Sequence, residues 1–137
     1  MSDALELREF VYISLASLLG IYKFTDGTQT PAIAVISGNG ELYPPEGTQV
    51  TGLEVVIFTP TLAPAALLQG YKVKEQWVIH LKQWTVGMSV QLALDSLLSA
   101  ELEGFVISQI VEIPADYRMG IPAGAQVKLD KFYFSGE

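Results

Sequence analysis

The segment that most restricts the fold is residues 71–84, where apolar and polar side chains alternate over a long extended run. Trp77, Ile79 and Leu81 fall on one side of such a strand, because side chains alternate between its faces. A period of two excludes a helix here, and a strand with one apolar face belongs to a sheet that covers a core. The opposite side is amphipathic and carries Gln76, Val78, His80, Lys82 and Trp84.

Two other stretches have helical spacing. The first begins at Asp3, a candidate N-cap with Glu6 three residues later, and its apolar stripe continues to Leu18. Gly20 then stands where a left-handed C-terminal cap is expected. The second predicted helix covers residues 89–102, with Ser89 as its N-cap.

The remaining segments are predicted to be strands. Asp26-Gly27 is a turn signal between two of them. The order is one helix, four strands, one helix and two strands, which predicts an α+β fold: a mainly antiparallel sheet of about five to six strands with two helices packed on one face. Besides 71–84, the strands are predicted at 21–24, 31–36, 51–59, 105–113 and 126–134. The predicted core consists of Leu7, Val11, Leu15, Leu18, Val55, Ile57, Trp77, Ile79, Leu81, Leu94, Leu97, Ile107 and Leu129.

Composition narrows the class of protein. A length of 137 residues suits a single domain over residues 1–137. The chain has no cysteine, so disulfides, thiolate metal ligands and cysteine nucleophiles are excluded. A net charge of −7 argues against nucleic acid or an anionic membrane as a partner. Neither a secretory signal nor a run long enough to span a bilayer is visible, so the expected location is the cytoplasm unless the chain is exported as part of an assembly.

A catalytic or metal site is not predicted. His80 is the only histidine and has no carboxylate or nucleophile beside it in sequence, so an exposed or cross-strand-paired histidine is the favoured interpretation. Gly38 and Gly40 lack the lysine and helix start of a phosphate loop. Glu101 and Glu103 are interpreted as a solvated rim. No catalytic, cofactor-binding or metal-binding residue is assigned, and no cofactor is expected.

One carboxyl group stands out. Glu54 interrupts the apolar run of residues 53–58, and a carboxyl group in a buried strand needs a partner or a shifted pKa. Pairing with Lys82, Lys74 or Arg8 is favoured over a catalytic role.

Four aromatic residues are candidates for a subunit interface, where Trp and Tyr dominate binding energy. The alternative for each is ordinary packing within the chain. The candidates are Trp84, Tyr71, Tyr117 and Tyr133.

The order of elements is similar to that of small bacteriophage tail-terminator and head–tail joining proteins. The similarity covers the whole chain as architecture and size, without a diagnostic motif, so no functional residue is carried over. It implies a subunit that forms a ring at the end of a tail tube, with other copies and other virion structural proteins as partners. The Gly- and Pro-rich loops at residues 37–50 and 114–125 agree with subunit contacts.

Three hypotheses follow. The first is a non-enzymatic structural or assembly protein of phage or prophage origin, which self-associates. The second is a small-ligand-binding α+β domain with a pocket between helices and sheet. The third is an enzyme that uses carboxylates alone. The first is favoured because half of the residues are hydrophobic, a large share for a monomer of this length.

Overall fold

The computed structural model describes residues 3–36, 47–59, 72–85, 89–100 and 104–134. The helices are α1 (Asp3–Leu15) and α2 (Ser89–Ser99). The strands are β1 (Ile21–Lys23), β2 (Gln29–Pro31), β3 (Ile33–Ile36), β4 (Gln49–Thr51), β5 (Leu53–Phe58), β6 (Lys72–Gln83), β7 (Phe105–Ile113) and β8 (Ala123–Phe134), with a short 3₁₀ helix at Tyr117–Met119.

The fold is α+β, as predicted, but the strands form two sheets rather than one. A five-stranded sheet has the order β3-β5-β6-β8-β7, and a three-stranded sheet has the order β2-β1-β4. The prediction of one sheet with five to six strands and both helices on one face is therefore too simple. Every pairing is antiparallel except that of β3 with β5, which is parallel.

The difference arises because two predicted strands each break after their first residue, which belongs to a separate short strand. The segment 31–36 breaks at Ala32 and the segment 51–59 breaks at Gly52, so that the chain leaves the small sheet and enters the large one at both points. Gly52 has a φ of 77°, a left-handed value that other residues rarely adopt. This backbone geometry redirects the chain without a break in its apolar pattern.

The main core lies on one face of the five-stranded sheet, called here the core face. It carries Val55, Ile79 and Val127 from successive strands, and residues from both helices join the same cluster. The prediction of the core is largely confirmed: Leu18 and Ile107 are only partly buried, and the other predicted members are buried.

Leu97 provides a test of this core. It is 5% exposed on α2, and we expect Leu97→Ala to lower the free energy of unfolding by about 2–5 kcal/mol, because the truncation removes buried apolar contacts. Leu98 is the matched control, since it is 58% exposed on the same helix. Leu98→Ala should change stability by about 0.5 kcal/mol or less in urea denaturation. Equal losses for the two variants would contradict the placement of α2.

The opposite side of the sheet, called here the outer face, has a smaller core of its own. Tyr22, Ala32 and Ala34 are buried there, and Phe24 and Val50 pack against them. Because Tyr22 and Val50 belong to the small sheet, this second core is where that sheet covers part of the outer face.

The end of α1 differs from the prediction. The helix stops at Leu15, and a turn follows in which the N–H groups of Leu18 and Leu19 donate to the Leu15 carbonyl. Gly20 is not a left-handed cap. Its N–H donates to the Leu53 carbonyl at 2.8 Å, and a Cβ at this position would lie 1.8 Å from the carbonyl oxygen of Thr51. The glycine is therefore required because two backbone segments approach closely.

Candidate functional site

The most distinctive surface of the protein is the outer edge of β7. This strand is 9 residues long and is the last in the five-stranded sheet, so that it pairs with β8 on one side only within the described residues. Its sequence contains no lysine, arginine or proline and a single acid, Glu112. Exposed edges are normally protected by such charges or by proline, because unpaired backbone groups attract another strand.

Apolar side chains are exposed along the same strand. Val106 is 59% exposed, Val111 40% and Ile113 44%. A β-bulge between Ile107 and Gln109 shifts the register against β8 by one residue. Since an extra residue reverses which side chains point to each face, Val106 before the bulge and Val111 after it both lie on the outer face. Among the residues that the structure describes, the edge of β7 thus combines backbone groups without a strand partner with apolar side chains on the outer face.

The other edge of the sheet is β3, whose sequence Ile-Ala-Val-Ile is wholly apolar. The carbonyl groups of Ala32 and Ile36 accept from the N–H groups of Val55 and Thr59 on the side of β5. Alternate residues of a strand direct their backbone groups to opposite sides, so those of Ile33 and Val35 point away from β5. No bond to them occurs within the described part of the chain.

A buried polar cluster lies where the small sheet meets the large one. Glu54 is 4% exposed on the outer face of β5. Its Oε2 accepts a hydrogen bond from the hydroxyl of Tyr22 at 2.5 Å, and its Oε1 accepts one from Nε1 of Trp84 at 2.8 Å. The prediction that Glu54 pairs with Lys82 or Arg8 is wrong. Lys82 lies directly opposite Glu54 in β6, but among the described side chains neither Lys82 nor Arg8 forms an ion pair with Glu54. The side chain of Lys74 lies outside the described residues.

The cluster joins three elements that are distant in sequence. Tyr22 belongs to β1 and is fully buried, Glu54 belongs to β5, and Trp84 follows β6. The N–H of Trp84 also donates to the Gly52 carbonyl at the sheet junction. A buried carboxyl group with two donors holds these elements in register, which is a structural role.

Tyr22→Phe tests that role. We expect the free energy of unfolding to fall by about 1–3 kcal/mol, because a buried oxygen of Glu54 loses its donor while the ring packing is kept. In a double-mutant cycle with Glu54→Gln, the two losses should not add, since Glu54→Gln removes the negative charge that strengthens the same hydrogen bond. Strict additivity in urea denaturation would show that the hydroxyl and the carboxyl group do not act together.

His80 lies farther along the same face and is half-buried. Its Nε2 lies 3.1 Å from the amide nitrogen of Gln126, and its ring packs on Phe58 with centroids 4.7 Å apart. An amide nitrogen only donates, so this contact uses an unprotonated Nε2. Burial lowers the pKa of His80 below its usual 6.5, and the positive charge of Lys82 lowers it further. The predicted cross-strand pairing of this histidine is confirmed.

The lowered pKa of His80 predicts how the stability of a His80→Gln variant depends on pH. At pH 8 the variant should be less stable than the wild type by about 0.5–1.5 kcal/mol, because the contact with Gln126 and the ring packing on Phe58 are lost. As the pH falls below 6.5, the unfolded wild type takes up a proton more readily than the folded wild type, so that the wild type loses stability relative to the variant. Urea denaturation between pH 8 and pH 5 measures the difference in the free energy of unfolding between wild type and variant. A constant difference over this range would contradict the lowered pKa of His80.

A cavity of about 650 Å³ lies on the core face between the helices and β6, β8 and β7. The side chains that line it in the described part of the chain are all apolar and include Phe10, Leu97 and Phe105. Trp77 packs edge-on against Phe105 at 5.9 Å, and its buried Nε1 has no hydrogen-bond partner among the described residues. The apolar side chains that line this cavity suit an uncharged apolar molecule.

The structure locates one of the four predicted interface residues fully. Trp84 is 41% exposed, although its indole N–H is used within the chain. Tyr71 lies outside the described residues, as do Gly38, Gly40, Glu101 and Glu103. Tyr117 lies in the 3₁₀ helix and Tyr133 in β8, and the side chains of both are outside the description. The interface roles of all four stay predictions.

Sequence reasoning missed Tyr22 as a partner of Glu54, because no local signal links residues on separate strands. It also missed Gln83, a buried residue on the core face of β6 whose Oε1 accepts from the N–H of Val90 in the first turn of α2. A polar residue in phase with Leu81 and Ile79 is the signal that could have revealed it.

Within the described ranges, no three acidic or histidine side chains come close enough to hold a metal ion. Neither described helix has the length and apolar character needed to cross a bilayer. No protein-family model, curated protein or solved structure matches this chain.

Proposed function

We propose that this chain is a non-enzymatic structural subunit that assembles with copies of itself into a ring, of the kind formed by bacteriophage tail-terminator and head–tail joining proteins. The observation that supports the proposal is the edge of β7, a long strand that exposes three apolar side chains and has no strand partner on its outer side within the described part of the chain. Such an edge would promote aggregation of a monomer, whereas in an assembly it is covered by a neighbour.

The ring is tested by mass and shape together. Light scattering on the purified chain should give a mass that is a small multiple of the monomer mass, and negative-stain images should show closed particles of uniform diameter. A two-fold contact alone stops at a dimer, whereas a head-to-tail contact forms a ring when the rotation between subunits closes and a filament when it does not. A monomer at high micromolar concentration is the result that overturns the proposal.

The cavity favours a second candidate function, the binding of a small apolar ligand between helices and sheet. Its volume lies within the range of about 300–1,000 Å³ found for ligand pockets. A neutral naphthylamine probe should then bind the wild type and raise its melting temperature. Ala100 lines the cavity, so Ala100→Leu should weaken that binding. Equal binding by the variant would place the probe elsewhere.

A further inference from the structure

The two edges of the five-stranded sheet are complementary in direction. β3 runs parallel to β5, and the next three pairings, β5 with β6, β6 with β8 and β8 with β7, are antiparallel. Three reversals leave β7 running opposite to β3. When a second copy is placed beside the first with the same face up, β7 of one copy therefore meets β3 of the next in antiparallel orientation.

We propose that β7 of one copy pairs with β3 of the next, and this proposal rests on the assembly function proposed above. The contact is head-to-tail, since it joins two different edges, and repetition of it generates a ring if the rotation closes. It also keeps the core faces of all subunits on one side of the ring.

The face on which each side chain lies determines which residues of β7 can pair with β3. Beyond the bulge, Ile110 and Glu112 lie on the core face, since they stand opposite Val127 and Ala125, and Gln109 and Val111 lie on the outer face. In β3, Ile33 and Val35 belong to the main core, whereas Ala34 belongs to the smaller core. In the following register each pair of opposed residues lies on the same face of the sheet: Gln109 stands opposite Ile36, Ile110 opposite Val35, Val111 opposite Ala34 and Glu112 opposite Ile33.

The second core explains what covers the apolar outer side of β7. Ala34 lies beneath the small sheet, next to Tyr22 and Ala32. Val111 of the neighbouring copy, placed beside Ala34, would come against the rim of this apolar cluster. The exposed side of β7 thus meets an apolar surface that is already built.

Charge argues against the alternative in which two β7 strands pair with each other. Beyond the bulge, a pair with matched faces includes the most residues when its two-fold axis lies at Val111, which puts Gln109 opposite Ile113 and Ile110 opposite Glu112. The two Glu112 side chains would then be diagonal neighbours, about 7–8 Å apart, in a chain of net charge −7. β3 carries no charge, so pairing with it avoids this repulsion.

The cysteine-free sequence makes the test direct. Gln109→Cys and Ile36→Cys are prepared as separate variants, mixed, allowed to exchange subunits and oxidised. Opposed residues in paired strands lie within disulfide range, so the mixture should give a crosslinked dimer that neither variant gives alone. Gln91→Cys replaces Gln109→Cys in the matched control, since Gln91 is an exposed glutamine on α2, and that mixture should give no crosslink.

Val111→Cys alone tests the competing arrangement, because two Val111 residues face each other only when two β7 strands pair. Crosslinking of this single variant, or full-sized assemblies without the 109–36 crosslink, would overturn the β7–β3 contact and leave the assembly function standing. A chain that stays monomeric by light scattering would overturn both. Each variant must keep the wild-type melting temperature within a few degrees, and Val35→Cys mixed with Ile110→Cys provides a second pair if Ile36→Cys does not fold.

Discussion

Replacing Gly20 with alanine is expected to lower the free energy of unfolding by about 3 kcal/mol or more, because the space that a Cβ needs is occupied by backbone. The added carbon would lie 1.8 Å from the Thr51 carbonyl oxygen and 2.8 Å from the Leu53 nitrogen. These atoms flank Gly52, where the chain passes from β4 to β5. Only a separation of the turn after α1 from this junction would make room, and urea denaturation measures the loss.

Gly27→Ala is the matched control. Gly27 has a φ of 90° in the β1–β2 turn, and a Cβ there would meet no atom within 4 Å. Its replacement should cost about 1–2 kcal/mol, the strain of a left-handed backbone alone. If Gly20→Ala lowered stability no more than Gly27→Ala does, the close approach of the Gly20 backbone to residues 51–53 would be contradicted.

Replacing Val111 with lysine is expected to weaken self-association by about 30-fold or more. The substitution puts a charge in the centre of the exposed edge, and charged residues on edges are a natural means of preventing strand pairing. A contact of this type carries on the order of 2 kcal/mol, and 1.4 kcal/mol corresponds to tenfold in affinity. Val111 is 40% exposed, so the folded subunit should keep its stability within about 0.5 kcal/mol.

The control is Gln91→Lys, which adds the same charge on the exposed surface of α2. It should assemble like the wild type in sedimentation velocity experiments. Since the chain has a net charge of −7, both variants reduce overall repulsion equally, and only the position of the charge differs. Assembly of the Val111→Lys variant at wild-type concentrations would mean that the subunits meet through another surface.

Strands with strong local patterns could be predicted from the sequence. The alternation in residues 71–84 predicted β6 closely, and the strand predicted at 105–113 has the bounds of β7. The division of the sheet could not be predicted, because residues 51–59 have the pattern of one continuous buried strand. Only Gly52 marks the break, and the preference of the two halves for different sheets depends on pairing with β1 and β6, which is not local information.

In the candidate site, too, features with a local sequence pattern could be predicted, and contacts between distant residues could not. Glu54 was identified because a carboxyl group in an apolar run is locally unusual, whereas its partners Tyr22 and Trp84 are separated from it by 32 and 30 residues. The apolar character of β7 is visible in the sequence, but its position at the edge follows from the order in which β6, β8 and β7 pair.

Hydrogen exchange at two protein concentrations tests the central claim, self-association through the edge of β7, most directly. No described strand pairs with the β7 amides that point away from β8, so these amides should exchange readily in the monomer, and a neighbouring strand would protect them. We expect peptides covering residues 105–113 to become more protected as concentration rises, while those covering residues 89–99 stay unchanged. Equal exchange of residues 105–113 at both concentrations, in a sample whose mass has increased, would contradict assembly through this edge.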